Sequence, residues 1–292
     1  MNIELDGVRL RYGKTVALDG LTLNLPGGRI YGLLGRNGSG KTSLLSLLAG
    51  FRRPTAGTVR VGGHPVFENG TATAGICLIR ETLDMAHHSV KVKEVLEVAE
   101  NLRATWDGDY AGTLLEKFQV LPGTSVGALS RGKLSALGVT VGLASRTPVT
   151  LFDESYLGMD APARYLFRDE VLADFMQHPR TIVLATHLIE EVAPLFEQVV
   201  IIDRGRLVLH EDADDLRARG VAVTGPAAEV DRFVAGLTVL GEQQLGPTKA
   251  VTVYGELDDD RRRAARERGL ELGPIALQDL FVHLTAAKGE PA

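Results

Sequence analysis

Apolar and polar residues alternate along residues 3–11 and again along 16–25, with Tyr12-Gly13-Lys14 between the two runs. A period of two marks a strand with one buried face, so the pair predicts two strands. Pro26-Gly27-Gly28 breaks the pattern as a turn does. Residues 29–34 then read as a short buried strand, and 43–48 as the apolar start of a helix. Residues 58–61 and 66–67 flank Gly62-Gly63, a hairpin signature, and 75–79 form a compact apolar strand.

From residue 90 the period changes. Val92, Val95, Leu96 and Ala99 fall on one helical face, and the pattern stays mostly helical to residue 143. Strand and helix then alternate. Residues 149–152, 181–185 and 199–202 are short aliphatic runs of the kind found in parallel sheets buried on both faces. Helical stretches at 164–176 and 188–196 separate them, and Arg204-Gly205 turns the chain into 206–210. The expected fold is an α/β domain over 1–218 with a helical insertion at about 85–145; 213–219 reads as a polar helix or linker. The pattern then restarts: strand 221–224, helix 227–235, strands 239–245 and 250–254, helix 259–268 and a final element to 284. The order β-α-β-β-α-β predicts a small ferredoxin-like α+β unit over 219–292.

The 292 residues suffice for one large and one smaller domain, and 45% hydrophobic residues suffice for their cores. No apolar run approaches the roughly 18–20 residues that cross a bilayer. The start of the chain lacks the charged and apolar segments of a secretory signal. The single Cys77 excludes an intramolecular disulfide, argues against a cysteine-rich metal site and fits a reducing compartment. The expected location is cytoplasmic, with any membrane role exercised through a partner. A net charge of −5 argues against a nucleic-acid partner. The run of three Asp and three Arg at 258–263 is best read as helix-dipole complementation.

Gly35-Arg36-Asn37-Gly38-Ser39-Gly40-Lys41-Thr42 matches G-x-x-x-x-G-K-[ST] between a buried strand and a helix. Glycines let backbone N–H groups turn inward on phosphate oxygens, and the helix start adds its positive dipole end. Lys41 is placed to reach the β- and γ-phosphates, and the Thr42 hydroxyl to hold Mg²⁺. Residues 149–152 lead into Asp153-Glu154, two carboxylates at the carboxyl edge of the sheet, where ligands of open α/β sheets sit. Asp153 is expected to help hold Mg²⁺ and Glu154 to polarise the attacking water.

These residues lie in a wider pattern. Leu129-Ser130-Arg131-Gly132-Lys133, 20 residues before Asp153, resembles the signature of ABC ATPases. The run from Asp153 to Asp160 resembles that family's Walker B and D-loop, and Thr186-His187 its switch histidine. Tyr12 sits where the family stacks an aromatic residue on adenine. The resemblance covers roughly residues 2–215, and the stretch 276–285 is similar to the tail of subunits serving ABC-2-type exporters.

The resemblance implies a P-loop ATPase with a mixed core sheet, an N-terminal antiparallel β subdomain and a helical insertion. It implies ATP held between two subunits, a homodimer or a pair with a paralogous ATPase subunit, beneath a membrane permease. Gly35, Asn37, Gly38, Ser39, Gly40, Lys41, Thr42 and Ser43 would hold the phosphates. Ser130 and the Gly132 N–H would meet the γ-phosphate from the other subunit, His187 would align the water, and Asp160 would communicate between sites. Two rival readings remain: a soluble ABC ATPase without a transporter, and a low-turnover nucleotide-binding regulator.

The chain departs from the family pattern in two places. Arg80 stands at the position of the family's Q-loop glutamine, and an arginine can neither accept a hydrogen bond nor ligate Mg²⁺. The expectation is that Arg80 turns away from the metal and that Glu81 or a water takes the role. The signature carries Arg131 and Lys133 in place of Gly and Gln, which either adds positive charge near the triphosphate or serves only the surface. For the C-terminal unit, the residues do not choose among regulation, dimerisation and packing.

Overall fold

The computed structural model describes residues 1–80, 89–255 and 257–286. The chain divides into two compact units: Met1–His187 with Pro194–His210, and Leu188–Ala193 with the chain from Glu211 onward.

In the first unit, β1 (Ile3–Tyr12) and β2 (Thr15–Leu25) pair antiparallel, from Ile3 opposite Leu25 to Tyr12 opposite Thr15. Ile3, Leu5, Val8 and Leu10 of β1 face the core. The three-residue step from Leu5 to Val8 coincides with a register shift and with Gly7 at φ 56°, a bulge that restores the inward phase. On its other edge β1 pairs with β4 (Ala56–Val61), which turns into β5 (His64–Pro65), giving the order β2-β1-β4-β5. The hairpin at Gly62-Gly63 is present, but its second strand is 64–65, not 66–67. Pro65 has no N–H to continue the ladder. Val66 turns into the core, and the Asn69 side chain accepts from the Ala72 amide to cap a short helix, α2 (Gly70–Ala74).

The second sheet has the order β10-β9-β3-β8-β7-β6, formed by β3 (Ile30–Leu34), β6 (Ile76–Arg80), β7 (Val149–Asp153), β8 (Thr181–Thr186), β9 (Gln198–Asp203) and β10 (Arg206–Asp212). β9, β3, β8, β7 and β6 run parallel, and every residue of β3, β7 and β8 is buried. Helix α1 (Lys41–Leu48) contributes Leu44, Leu45, Leu47 and Leu48 to one core shared with both sheets.

The insertion comprises α3 (Val92–Leu102), α4 (Gly108–Lys117) and α5 (Arg131–Ala144). α5 packs closely on the sheet at Gly142, where an added Cβ would lie 2.7 Å from the Phe152 ring and 2.8 Å from Ile79. Helix α6 (Ala161–Gln177) follows β7, capped by the Asp160 carboxylate. In the parallel ladders Arg80 is level with Asp153, Asp153 with Ala185, and Leu34 with Thr186. One sheet edge therefore gathers the start of the phosphate loop, the Asp153-Glu154 pair, Thr186-His187 and Arg80.

The helix expected over 188–196 is broken. α7 spans only Ile189–Val192, and a single 3₁₀ turn, Ala193–Leu195, follows. Pro194 cannot supply the helical N–H and disfavours helix in the residue before it. The break coincides with the limit of the second unit at Ala193.

In that unit, α8 (Ala213–Arg219) leads to β11 (Gly220–Pro226), α9 (Ala227–Val234), β12 (Thr238–Leu245), β13 (Thr248–Tyr254), α10 (Asp259–Glu267), β14 (Glu271–Pro274) and α11 (Leu277–Ala286). The strands form an antiparallel sheet in the order β12-β13-β11-β14, and the stretch read as one final element to 284 is β14 followed by α11. Val221, Val223, Val230, Val251 and Val253 centre its core. α11 packs on α7, where the Gln278 amide donates to the Glu190 carboxylate at 3.1 Å. Among the described residues no helix is long and apolar enough to cross a membrane.

Candidate nucleotide-binding site

The loop from β3 to α1 owes its path to glycine. Gly38 and Gly40 have φ of 80° and 108°, the left-handed region that favours glycine. At Gly40 the backbone also runs against β2, where a Cβ would lie 2.7 Å from the Ala17 carbonyl oxygen. Ser39 N–H donates to Arg36 O, Gly205 N–H to Ser39 O, and Asp19 N–H to Gly205 O, at 2.9–3.0 Å. The loop is thus clamped between β2 and the β9–β10 turn. Gly40 at the N-cap brings no side chain to satisfy the first amides of α1, which leaves them available to an anion.

Lys41 is only 5% exposed. Its ammonium donates to Gly35 O at 2.7 Å and lies 3.6 Å from the Glu154 carboxylate. Burial lowers its pKa, opposed by the charges of Glu154 and Asp153. Asp153 closes β7, buried, and its pKa is raised first by desolvation, against a hydrogen bond from the Thr42 hydroxyl.

Glu154, one residue on, has φ 52°, an uncommon conformation for a residue with a side chain. Its N–H donates to Ala185 O at 3.0 Å, which ties the bend to β8. The bend places its carboxylate between Lys41 and His187, whose Nδ1 lies 3.1 Å from Oε1. No feature of the sequence announced this backbone. Nor did it announce Tyr156, which is buried, stacks on Phe167 at 5.1 Å between centroids and donates its hydroxyl to Thr186 Oγ1 at 2.6 Å. Tyr156 thereby joins the segment after Glu154 to the residue before His187.

A cleft of about 430 Å³ lies over the loop, lined by Tyr12, Val16, residues 37–43 and Glu154. Tyr12 is half exposed, and the Arg52 guanidinium lies 5.2 Å from its ring centroid. Among the described residues, Ser130, Gly132 and Asp160 do not line this cleft. Ser130 caps α5, accepting from the Lys133 amide at 3.3 Å, and a Cβ on Gly132 would come within 3.0 Å of Gly158 O.

The Lys133 ammonium donates to Phe118 O at 2.5 Å, at the end of α4. That end carries negative dipole charge, so Lys133 serves the insertion. The Arg80 guanidinium donates to Ser46 Oγ at 3.2 Å and lies 5.2 Å from the Phe51 ring centroid. Glu81, the suggested substitute, lies outside the described residues.

The residues fit a magnesium ion that arrives with a nucleotide. Asp153 Oδ1 is buried and has no hydrogen-bond partner among the described residues. The Thr42 hydroxyl beside it is a second hard oxygen donor. No group of three or more His, Cys, Asp or Glu among the described residues could hold a metal by itself. A one-carboxylate site of this kind suits Mg²⁺, which keeps waters and takes phosphate oxygens as its remaining ligands.

A glycine loop from a buried parallel strand to a helix, with an acidic strand end beside it, defines a P-loop nucleotide-binding fold. The comparisons narrow the class. The sequence profile of the family described as ABC transporter matches residues 18–156. The daunorubicin resistance ATP-binding protein DrrA3 of Streptomyces coeruleorubidus is 30% identical over 97% of this chain and 95% of its own. The Nod factor export ATP-binding protein I of Ralstonia nicotianae is 30% identical over 70% of this chain and 65% of its own. A solved ATP-binding subunit of an ABC transporter superposes with a TM-score of 0.68 over 74% of this chain and 92% of its own, at 21% identity. The chain belongs to the ABC transporter ATP-binding family.

Proposed function

We propose that this protein is the ATP-hydrolysing subunit of an exporter, acting as a dimer beneath a separate membrane permease. The observation that carries this reading is the seat of Glu154, bent out of β7 into the mouth of the phosphate loop between Lys41 and His187. A carboxylate so held can accept a proton from a water attacking the γ-phosphate. In this reading the 37–43 loop binds the phosphates, and Lys41 exchanges Gly35 O and Glu154 for β- and γ-oxygens. Thr42 and Asp153 would hold Mg²⁺, which when bound would supply positive charge to the phosphate oxygens. His187 orients Glu154 and the water. The export role follows the relatives named above, and it sets the protein against a membrane through its permease.

Ser130, Gly132 and Asp160 lie off the cleft, which supports a site completed by a second copy. Each signature then faces the other copy's phosphate loop, as in a two-fold dimer. Mixing two inactive variants tests this. Lys41→Ala and Ser130→Ala should each lack ATPase activity alone. In the mixed dimer one site keeps both Lys41 and Ser130, so mixing should restore up to roughly a quarter of the wild-type rate. A site complete within one chain predicts no recovery.

Tyr12 supplies the stacking face for the base. Tyr12→Ala should weaken ATP binding about tenfold, since base–aromatic stacking contributes about 1–3 kcal/mol. Tyr12→Trp should preserve it. Titration with a fluorescent ATP analogue reads both variants, and an unchanged affinity in Tyr12→Ala would place the base elsewhere.

A further inference from the structure

Arg80 ends β6 level with Asp153 at the end of β7, on neighbouring parallel strands roughly 4.8 Å apart. It is held by groups outside the nucleotide cleft. Its guanidinium donates to Ser46 Oγ and lies against the Phe51 ring, and Ser46 Oγ in turn donates to Thr42 O at 2.8 Å. Ser46 is buried, so this mooring has one fixed end on the helix that carries Thr42. A guanidinium keeps its charge at every accessible pH. The position next to the Asp153 carboxylate thus carries a permanent cation.

We propose that Arg80 is a positioning residue that supplies fixed positive charge to the metal side of the triphosphate site, so that nucleotide binding depends less on Mg²⁺. This rests on the reading in which the triphosphate occupies the 37–43 loop and the metal lies at Thr42 and Asp153. The physical argument is one of charge balance. Metal-free ATP brings a highly negative triphosphate to the loop, and Mg²⁺ normally offsets part of that charge. A moored guanidinium offsets part of it beforehand, which strengthens metal-free binding. The same cation repels an incoming dication, which weakens the added benefit of Mg²⁺. Arg80 is exposed, and its influence is therefore partly screened by solvent and salt. Two unit charges about 8–10 Å apart at an intermediate dielectric change an affinity by roughly three- to tenfold.

The test measures the affinity of the full-length protein for a non-hydrolysable ATP analogue, once with EDTA and once with excess Mg²⁺. The readout is the ratio of the two dissociation constants. In Arg80→Met and Arg80→Gln the EDTA value should weaken, and the ratio should rise about three- to tenfold over wild type. Arg80→Lys, which keeps the charge and loses the planar fork, should hold the ratio near wild type. The effect should shrink as salt is raised. An unchanged ratio in Arg80→Met, or a lysine variant that behaves like methionine, would overturn the proposal. A wild-type protein that binds the analogue in neither condition would instead overturn the underlying assignment of the triphosphate site.

Discussion

Glu154→Gln is expected to lower ATP turnover about a thousandfold while leaving ATP binding intact. The loss of a positioned general base costs about 10²–10⁴ in rate. The amide has nearly the shape of the carboxylate, so the bend at φ 52° and its bond to Ala185 O should survive. What it loses is basicity and its charge toward Lys41, 3.6 Å away in the wild-type protein. Removing that charge also leaves Lys41 freer for phosphate. With hydrolysis stopped, the γ-phosphate contacts that would join two copies persist. ATP should then shift the variant to a dimer on size-exclusion chromatography, and ADP should not. His187→Ala should be milder, because it removes an orienting contact and leaves the base. If Glu154→Gln hydrolyses ATP at the wild-type rate, the base is another group, and the proposed role of the Lys41–Glu154–His187 cluster falls with it.

Much of the cleft was legible because its chemistry demands particular residue types in a fixed order. Backbone that wraps a phosphate needs glycine where φ is positive, and Gly38 and Gly40 stand where the pattern put them. Strands buried on both faces announced themselves as aliphatic runs, so the shared edge holding Gly35, Asp153 and His187 could be inferred from where the runs ended. What could not be read depends on contacts between distant residues. The Tyr156 hydroxyl meets Thr186 30 positions away, Lys133 reaches Phe118 across 15, and Arg80 meets Ser46 across 34. Nothing local in the sequence specifies such pairs. The bend at Glu154 is of the same kind, since β8 holds it. Two local misreadings trace to proline: Pro65 ends β5 early, and Pro194 splits the helix expected after His187.

Gly40→Ala and Gly38→Ala separate the two reasons a phosphate loop needs glycine. Both positions have positive φ, 80° at Gly38 and 108° at Gly40, so an alanine at either meets a backbone cost of about 1–2 kcal/mol. Around Gly38 nothing lies within 4 Å of where the Cβ would stand. That variant should lose about five- to thirtyfold in ATP affinity, by strain alone. At Gly40 the Cβ would stand 2.7 Å from Ala17 O and 2.9 Å from Leu18 Cδ2. The Ala17 carbonyl belongs to β2, in a ladder with β1, and cannot retreat without opening that sheet. The loop must give instead. It carries the first amides of α1 and the Lys41 ammonium, whose place against Gly35 O depends on the same turn. Gly40→Ala should therefore weaken ATP binding by about a hundredfold or more, with circular dichroism close to wild type, because the strain is confined to one turn. Equal losses in the two variants would mean that conformational strain alone governs the loop. An unimpaired Gly40→Ala would mean that the triphosphate does not rest on these amides.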